Sequence, residues 1–152
     1  LLKKAAKLIR QGYPLEDIVA QVKKQREKTG IAFSVEDMES LRKSGRLSIV
    51  RQSVGAILNI RPILCLEKDG GALVCAGTAR GRNAQMQALA DRVPEDAVEV
   101  IIESLGSAYI APALAERIRA RLPHAAISRA TLGPVLAIHI GLDVIGVAWS
   151  VE

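Results

Sequence analysis

The tightest constraint on the fold is a pair of apolar, β-prone runs closed by a turn. Ile60 to Glu67 and Ala72 to Thr78 flank Asp69-Gly70-Gly71. Glycines after an aspartate supply the backbone freedom of a tight connection, and the flanking side chains favour a pleated surface. The chain therefore contains an antiparallel hairpin. Around it, helical and strand patterns alternate. Residues 1–11 set Leu1, Leu2, Ala5, Leu8 and Ile9 on one helical face, and Gly12 ends that helix. Pro14 stands at the first helical position of a second helix, which repeats Leu15, Ile18, Val19 and Val22 through about Lys28. Ile31 to Val35 reads as a buried strand, Glu36 to Lys43 as a helix with Met38 and Leu41 inward, and Ser48 to Leu58 as another helix. Asn83 to Arg92 and Pro112 to Leu122 are helical. Val98 to Ser104, Ala125 to Thr131 and Val144 to Val151 are strands, and a short apolar segment runs from Gly133-Pro134 to His139. Alternation with a central hairpin predicts an α/β (α+β) layered domain whose mixed, largely antiparallel sheet is flanked by helices.

At 152 residues this is one domain's worth of chain, and an apolar share of 49% excludes general disorder. No apolar run reaches the roughly 20 residues of a membrane-spanning helix, so no stable membrane insertion is expected. The net charge of +5 is concentrated in residues 1–60, which hold twelve basic and six acidic groups. This excess reads either as a surface for phosphates or an acidic partner or, more plainly, as solvated, Lys-rich helix faces. Nucleic acid is not expected as a partner, because Tyr13, Phe33, Tyr109 and Trp149 are scattered and form no stacking platform. Cys65 and Cys75 flank the turn at nearly equal distances, and a three-residue loop sets them opposite each other. Two reduced cysteines in a cytoplasmic protein are the expectation, and no metal site is expected.

No common catalytic motif is present. Gly77, Arg80 and Gly81 superficially resemble a phosphate cradle, but their spacing matches neither the dinucleotide fingerprint nor the Walker loop. The residues with chemical potential are His139, between Ile138 and Ile140 before Gly141, and the arginines beside glycines, Arg46, Arg80 and Arg82. A histidine at the end of an apolar pocket suits a ligand carboxylate or phosphate. A core-edge histidine bonded to backbone, and arginines in charged turns, are the plainer readings of the same residues.

Read in order, four stretches resemble one family. Leu41-Arg42-Lys43-Ser44-Gly45-Arg46-Leu47-Ser48, Leu58-Asn59-Ile60-Arg61-Pro62-Ile63-Leu64, Arg80-Gly81-Arg82-Asn83-Ala84 and Gly133-Pro134-Val135-Leu136-Ala137-Ile138-His139-Ile140-Gly141 resemble successive motifs of DegV proteins. The resemblance covers this whole chain and the C-terminal half of a two-domain family. It implies residues 1–152 as a single domain, with an N-terminal DegV domain missing from it. The chain's start at Leu1, inside a helix without a capping residue, fits that expectation. By the resemblance, the function is binding of a long-chain fatty acid. Its carboxyl would be presented to a separate ATP-binding fatty acid kinase subunit for acyl-phosphate formation in phospholipid metabolism. His139 would hold the carboxylate, and Arg46 and Arg80 would contact the head group or the kinase partner. No cofactor other than the bound fatty acid is implied, and the chain would not itself be an enzyme. Such a half, alone, is expected to expose an apolar tunnel wall and to dimerise into a homo-oligomer or bind hydrophobic dye. The alternatives are an interaction or regulatory module that has lost the ligand, and an acyl-processing enzyme using Asp143 or a serine beside His139. The histidine segment departs from the family's Gly-Thr-His-Thr-Gly-Pro-Gly at Ile138, Ile140, Leu142 and Asp143, which puts a negative charge beside the expected carboxylate.

Overall fold

A computed structural model describes residues 1–36, 41, 43, 45, 60–67 and 71–152. The expected helix at Ser48 to Leu58 lies outside the described residues, as does most of the one at Glu36 to Lys43, of which Leu41 and Lys43 are helical. The described helices are α1 (Leu2–Arg10), α2 (Leu15–Glu27), α3 (Gly81–Arg92), α4 (Ala111–Arg121) and α5 (Pro134–Ile140). The strands are β1 (Thr29–Val35), β2 (Ile60–Leu66), β3 (Leu73–Arg80), β4 (Ala97–Leu105), β5 (Ala126–Thr131) and β6 (Val144–Val151). They form one sheet in the order β3-β2-β1-β6-β4-β5. Every neighbouring pair is antiparallel except β4–β5, which is parallel and joined through α4. The mixed, largely antiparallel sheet read from the sequence is thus present. Pro14 sits one residue outside α2, as its N-cap, because its ψ of 153° is extended rather than helical. Of the apolar face read for the first helix, Leu8 is buried while Leu2 and Ile9 are exposed.

The period-2 pattern of the strands sends alternate side chains to two faces. On one face Ile63, Val100, Ile102, Ile145 and Val147 meet Leu89 and Ala90 of α3 and Leu114, Ala115 and Ile118 of α4. The four-residue spacing of Leu114, Ile118 and Leu122 is what aims this stripe at the sheet. Leu89, Leu114 and Ile118 are fully buried, each contributing roughly 1.5–3 kcal/mol of transfer free energy. One polar pair is sealed in the same layer. Gln85 Nε2 of α3 donates to Ser34 Oγ of β1 at 2.8 Å, which fixes the helix on the strand.

The hairpin departs from the three-residue-loop expectation. Ile60–Arg80 and Ile63–Gly77 are paired, but the next pair is Leu64–Cys75, so Ala76 is an extra, bulged residue. Arg92, the last residue of α3, donates to the Ala76 carbonyl that the bulge frees. Beyond the bulge the register is shifted by one, and Cys65 faces Val74. A one-residue shift exchanges faces. Cys65 therefore packs with the helix-side core and Cys75 with the opposite cluster, rather than facing each other. Both are free thiols.

Burial pushes the Cys65 thiol above its usual range, and nearby Arg92 only partly offsets this. A thiol held neutral by the fold adds no differential stability below its unfolded value. Once the unfolded thiol ionises, the folded state binds the proton more tightly and stability falls as pH rises past about 8.5. Cys65 is thus expected to alkylate slowly with iodoacetamide at pH 7.5 in the native protein and at the free-thiol rate in urea. Equal native and denatured rates, read by peptide mass spectrometry, would contradict this placement.

Candidate functional site

The other face of the sheet carries Ile31 and Phe33 of β1, Leu66 of β2, Leu73 of β3 and Val144 of β6. Among the described residues, α5 and Leu41 close a second buried cluster on this face, of Val35, Leu41, Leu64, Ile140 and Val144. The rest of this face lines a cavity of about 550 Å³, within the ~300–1,000 Å³ usual for small-molecule sites. Two features open it. Gly146 has no side chain, and a Cβ there would lie 2.8 Å from Cβ of Phe33, its cross-strand neighbour. The ring of Phe33 therefore has a bare strand beside it. Meanwhile α5 presents only Leu136, His139 and Ile140 to the cavity, an i, i+3, i+4 triplet that a short helix lays along one side.

Pro134 at the first helical position starts α5, and Gly141, at φ +93°, ends it. His139 falls in the last turn, half-buried. Ile140 points into the apolar cluster, whereas Ile138 is 75% exposed and does not line the cavity. Of the two isoleucines flanking His139, only Ile140 thus changes the wall, and it makes the wall more apolar.

Beside this end of the cavity lies an ionic chain. Arg61 of β2, buried, donates from Nη2 to Glu36 Oε1 at 2.6 Å. Arg82 of α3 reaches Glu36 Oε2 at 2.8 Å and Asp143 Oδ2 at 3.2 Å, and its guanidinium stands 5.8 Å from the Tyr109 ring centroid. The Glu36 N–H donates to the Asp143 carbonyl at 3.1 Å, tying the end of β1 to the turn before β6. Asp143 does not line the cavity, so its charge is balanced by Arg82 outside it. Sequence reasoning singled out Arg82 and Asp143 but missed Glu36 and Arg61. The available signal was Arg61 itself, a charge within an otherwise apolar strand, where an ion is retained only if paired. It also missed Glu103 of β4, which alternation assigns to a solvated face and which in fact lines the cavity.

The structure separates the expected site residues. His139 lines the cavity. Arg80 ends β3 at the same end of the sheet, exposed and outside the lining. Arg46 lies outside the described residues. The strand directions explain why stretches so far apart in sequence share a pattern. β1, β3, β4 and β5 end, and β2 and β6 begin, at one end of the sheet, where Arg61, Arg82, α5 and Leu41 gather. Among the described residues no cluster of three His, Cys, Asp or Glu side chains could hold a metal ion, and no helix is long and apolar enough to cross a membrane.

The mixed sheet thus packs on α3 and α4 with one face and is hollowed into an apolar cavity on the other. The sequence matches the family described as "Uncharacterised protein, DegV family" over residues 1–152, and the chain belongs to that family. A DegV domain-containing protein of Deinococcus radiodurans is 29% identical over 143 residues, which are 91% of this chain and 50% of the relative. Protein DegV of Bacillus subtilis is 26% identical over 152 residues, 96% of this chain and 53% of its own. The chain thus spans about half the length of the curated relatives it matches. The Streptococcus pneumoniae Fatty Acid Kinase (Fak) B3 protein loaded with linoleic acid superposes with a TM-score of 0.85 at 24% identity, over 99% of this chain and 54% of that one. A DegV family protein from Eubacterium eligens loaded with heptadecanoic acid gives 0.85 at 21% identity, over 99% and 55%. These likenesses establish the fold.

Proposed function

We propose that this chain is the C-terminal, tail-binding half of a two-domain fatty-acid-binding protein. The acyl tail occupies the cavity, and His139 donates a hydrogen bond to the carboxylate. The observation that carries the reading is the 550 Å³ apolar cavity with His139 in its wall. Each methylene removed from water contributes about 0.8 kcal/mol, so a long acyl chain is held by its tail. The carboxylate must be met by donors as it leaves water. Relatives of the same fold described with linoleic and heptadecanoic acid support the ligand class. The chain binds and does not catalyse. It presents the carboxyl to a separate ATP-bearing kinase subunit, with Arg80 at the presented rim. Relatives support the partner through the fatty acid kinase named in the Streptococcus pneumoniae structure.

The reading is tested by titrating the natural full-length protein with a fluorescent long-chain fatty acid and displacing it with oleate. Saturable one-to-one uptake that oleate reverses is expected. Uptake that neither saturates nor yields to oleate contradicts the reading.

A further inference from the structure

Four residues after His139, the turn into β6 carries Asp143, a carboxylate beside the end of the cavity where the ligand's own carboxylate is held. Its Oδ2 is paired with Arg82 at 3.2 Å, and its Oδ1 is buried with no hydrogen-bond partner among the described residues. One contact therefore holds this side chain. Arg82 is itself fixed, by Glu36 at 2.8 Å, by Gln85 Oε1 at 3.3 Å and over the Tyr109 ring. The backbone of the turn is pinned separately, against Gly106 and through the Glu36 N–H. The Asp143 side chain can thus be released without dismantling the turn.

We propose that Arg82 is a positioning residue for ligand charge. By holding the Asp143 carboxylate outside the cavity and balancing it, Arg82 keeps the His139 end receptive to an anion. This rests on the fatty-acid reading and deepens it, because it assigns the selectivity for an ionised head group to a residue that does not line the cavity. Two like charges on the order of 10 Å apart at intermediate effective dielectric repel by about 1 kcal/mol, so a freed carboxylate near the bound one weakens an anionic ligand roughly five- to tenfold. An uncharged ligand with the same tail is not repelled.

The test compares oleic acid with oleyl alcohol on the natural full-length protein, as wild type, Arg82→Met and Arg82→Met with Asp143→Asn. Methionine keeps an apolar stem against Tyr109. Arg82→Met is expected to weaken oleate five- to tenfold and to leave oleyl alcohol within about twofold, and adding Asp143→Asn is expected to restore oleate to within about twofold. Should Arg82→Met fail to fold, Arg82→Gln is read the same way. Equal losses for acid and alcohol, or no recovery in the double variant, overturn the proposal while leaving the fatty-acid reading intact. Wild-type protein that binds neither ligand overturns both.

Discussion

Replacing Gly106 with alanine is expected to destabilise the protein by about 2–4 kcal/mol. Gly106 follows β4 at φ +70°, where a side chain costs roughly 1–2 kcal/mol. The added Cβ would also lie 2.3 Å from the Leu142 carbonyl oxygen and 3.1 Å from Cα of Asp143. Both are backbone atoms, so relief requires moving the turn between α5 and β6 rather than a rotamer. That turn carries Asp143 and ends the helix that carries His139, so the variant is expected to lose ligand affinity along with stability. At roughly 2–4 °C per kcal/mol for a chain of this size, melting falls by about 5–15 °C. A shift below about 2 °C would show that the turn does not rest on Gly106 as described.

The second large effect is at the ligand. His139→Ala is expected to weaken fatty-acid binding by about 1–3 kcal/mol, the cost of leaving a buried polar group without its partner. The loss is expected for the acid and not for the matching alcohol, because the tail contacts of Leu136 and Ile140 on the same helix remain. Calorimetry on both ligands separates this from general damage to the cavity. Unchanged affinity for the acid removes His139 from the site.

Most of the architecture was legible because strand alternation and four-residue helix spacing are local signals. Ile145 sorts to the face opposite Val144 and Gly146 by parity alone. The hairpin register was not legible. It turns on one bulged residue, Ala76, whose freed carbonyl is met by Arg92, sixteen positions further on. The ionic chain was hidden for a similar reason, since Arg61 meets Glu36 across 25 positions and Arg82 meets Asp143 across 61. The cavity depends on cross-strand placement, with Phe33 beside a bare Gly146, and no window of sequence displays that pair. His139 stood out because it is the one titratable side chain in an apolar run between two glycines, Gly133 and Gly141. The charge of Asp143 is visible in the sequence, but its pairing with Arg82 is not.

That the apolar face of this sheet holds an acyl chain is the proposal on which the other binding predictions depend. Its most direct test is mass spectrometry of lipids extracted from the natural full-length protein after purification without added lipid. Long-chain fatty acid is expected at close to one molecule per protein. Protein that carries no fatty acid, and takes up none when oleate is supplied, would contradict it.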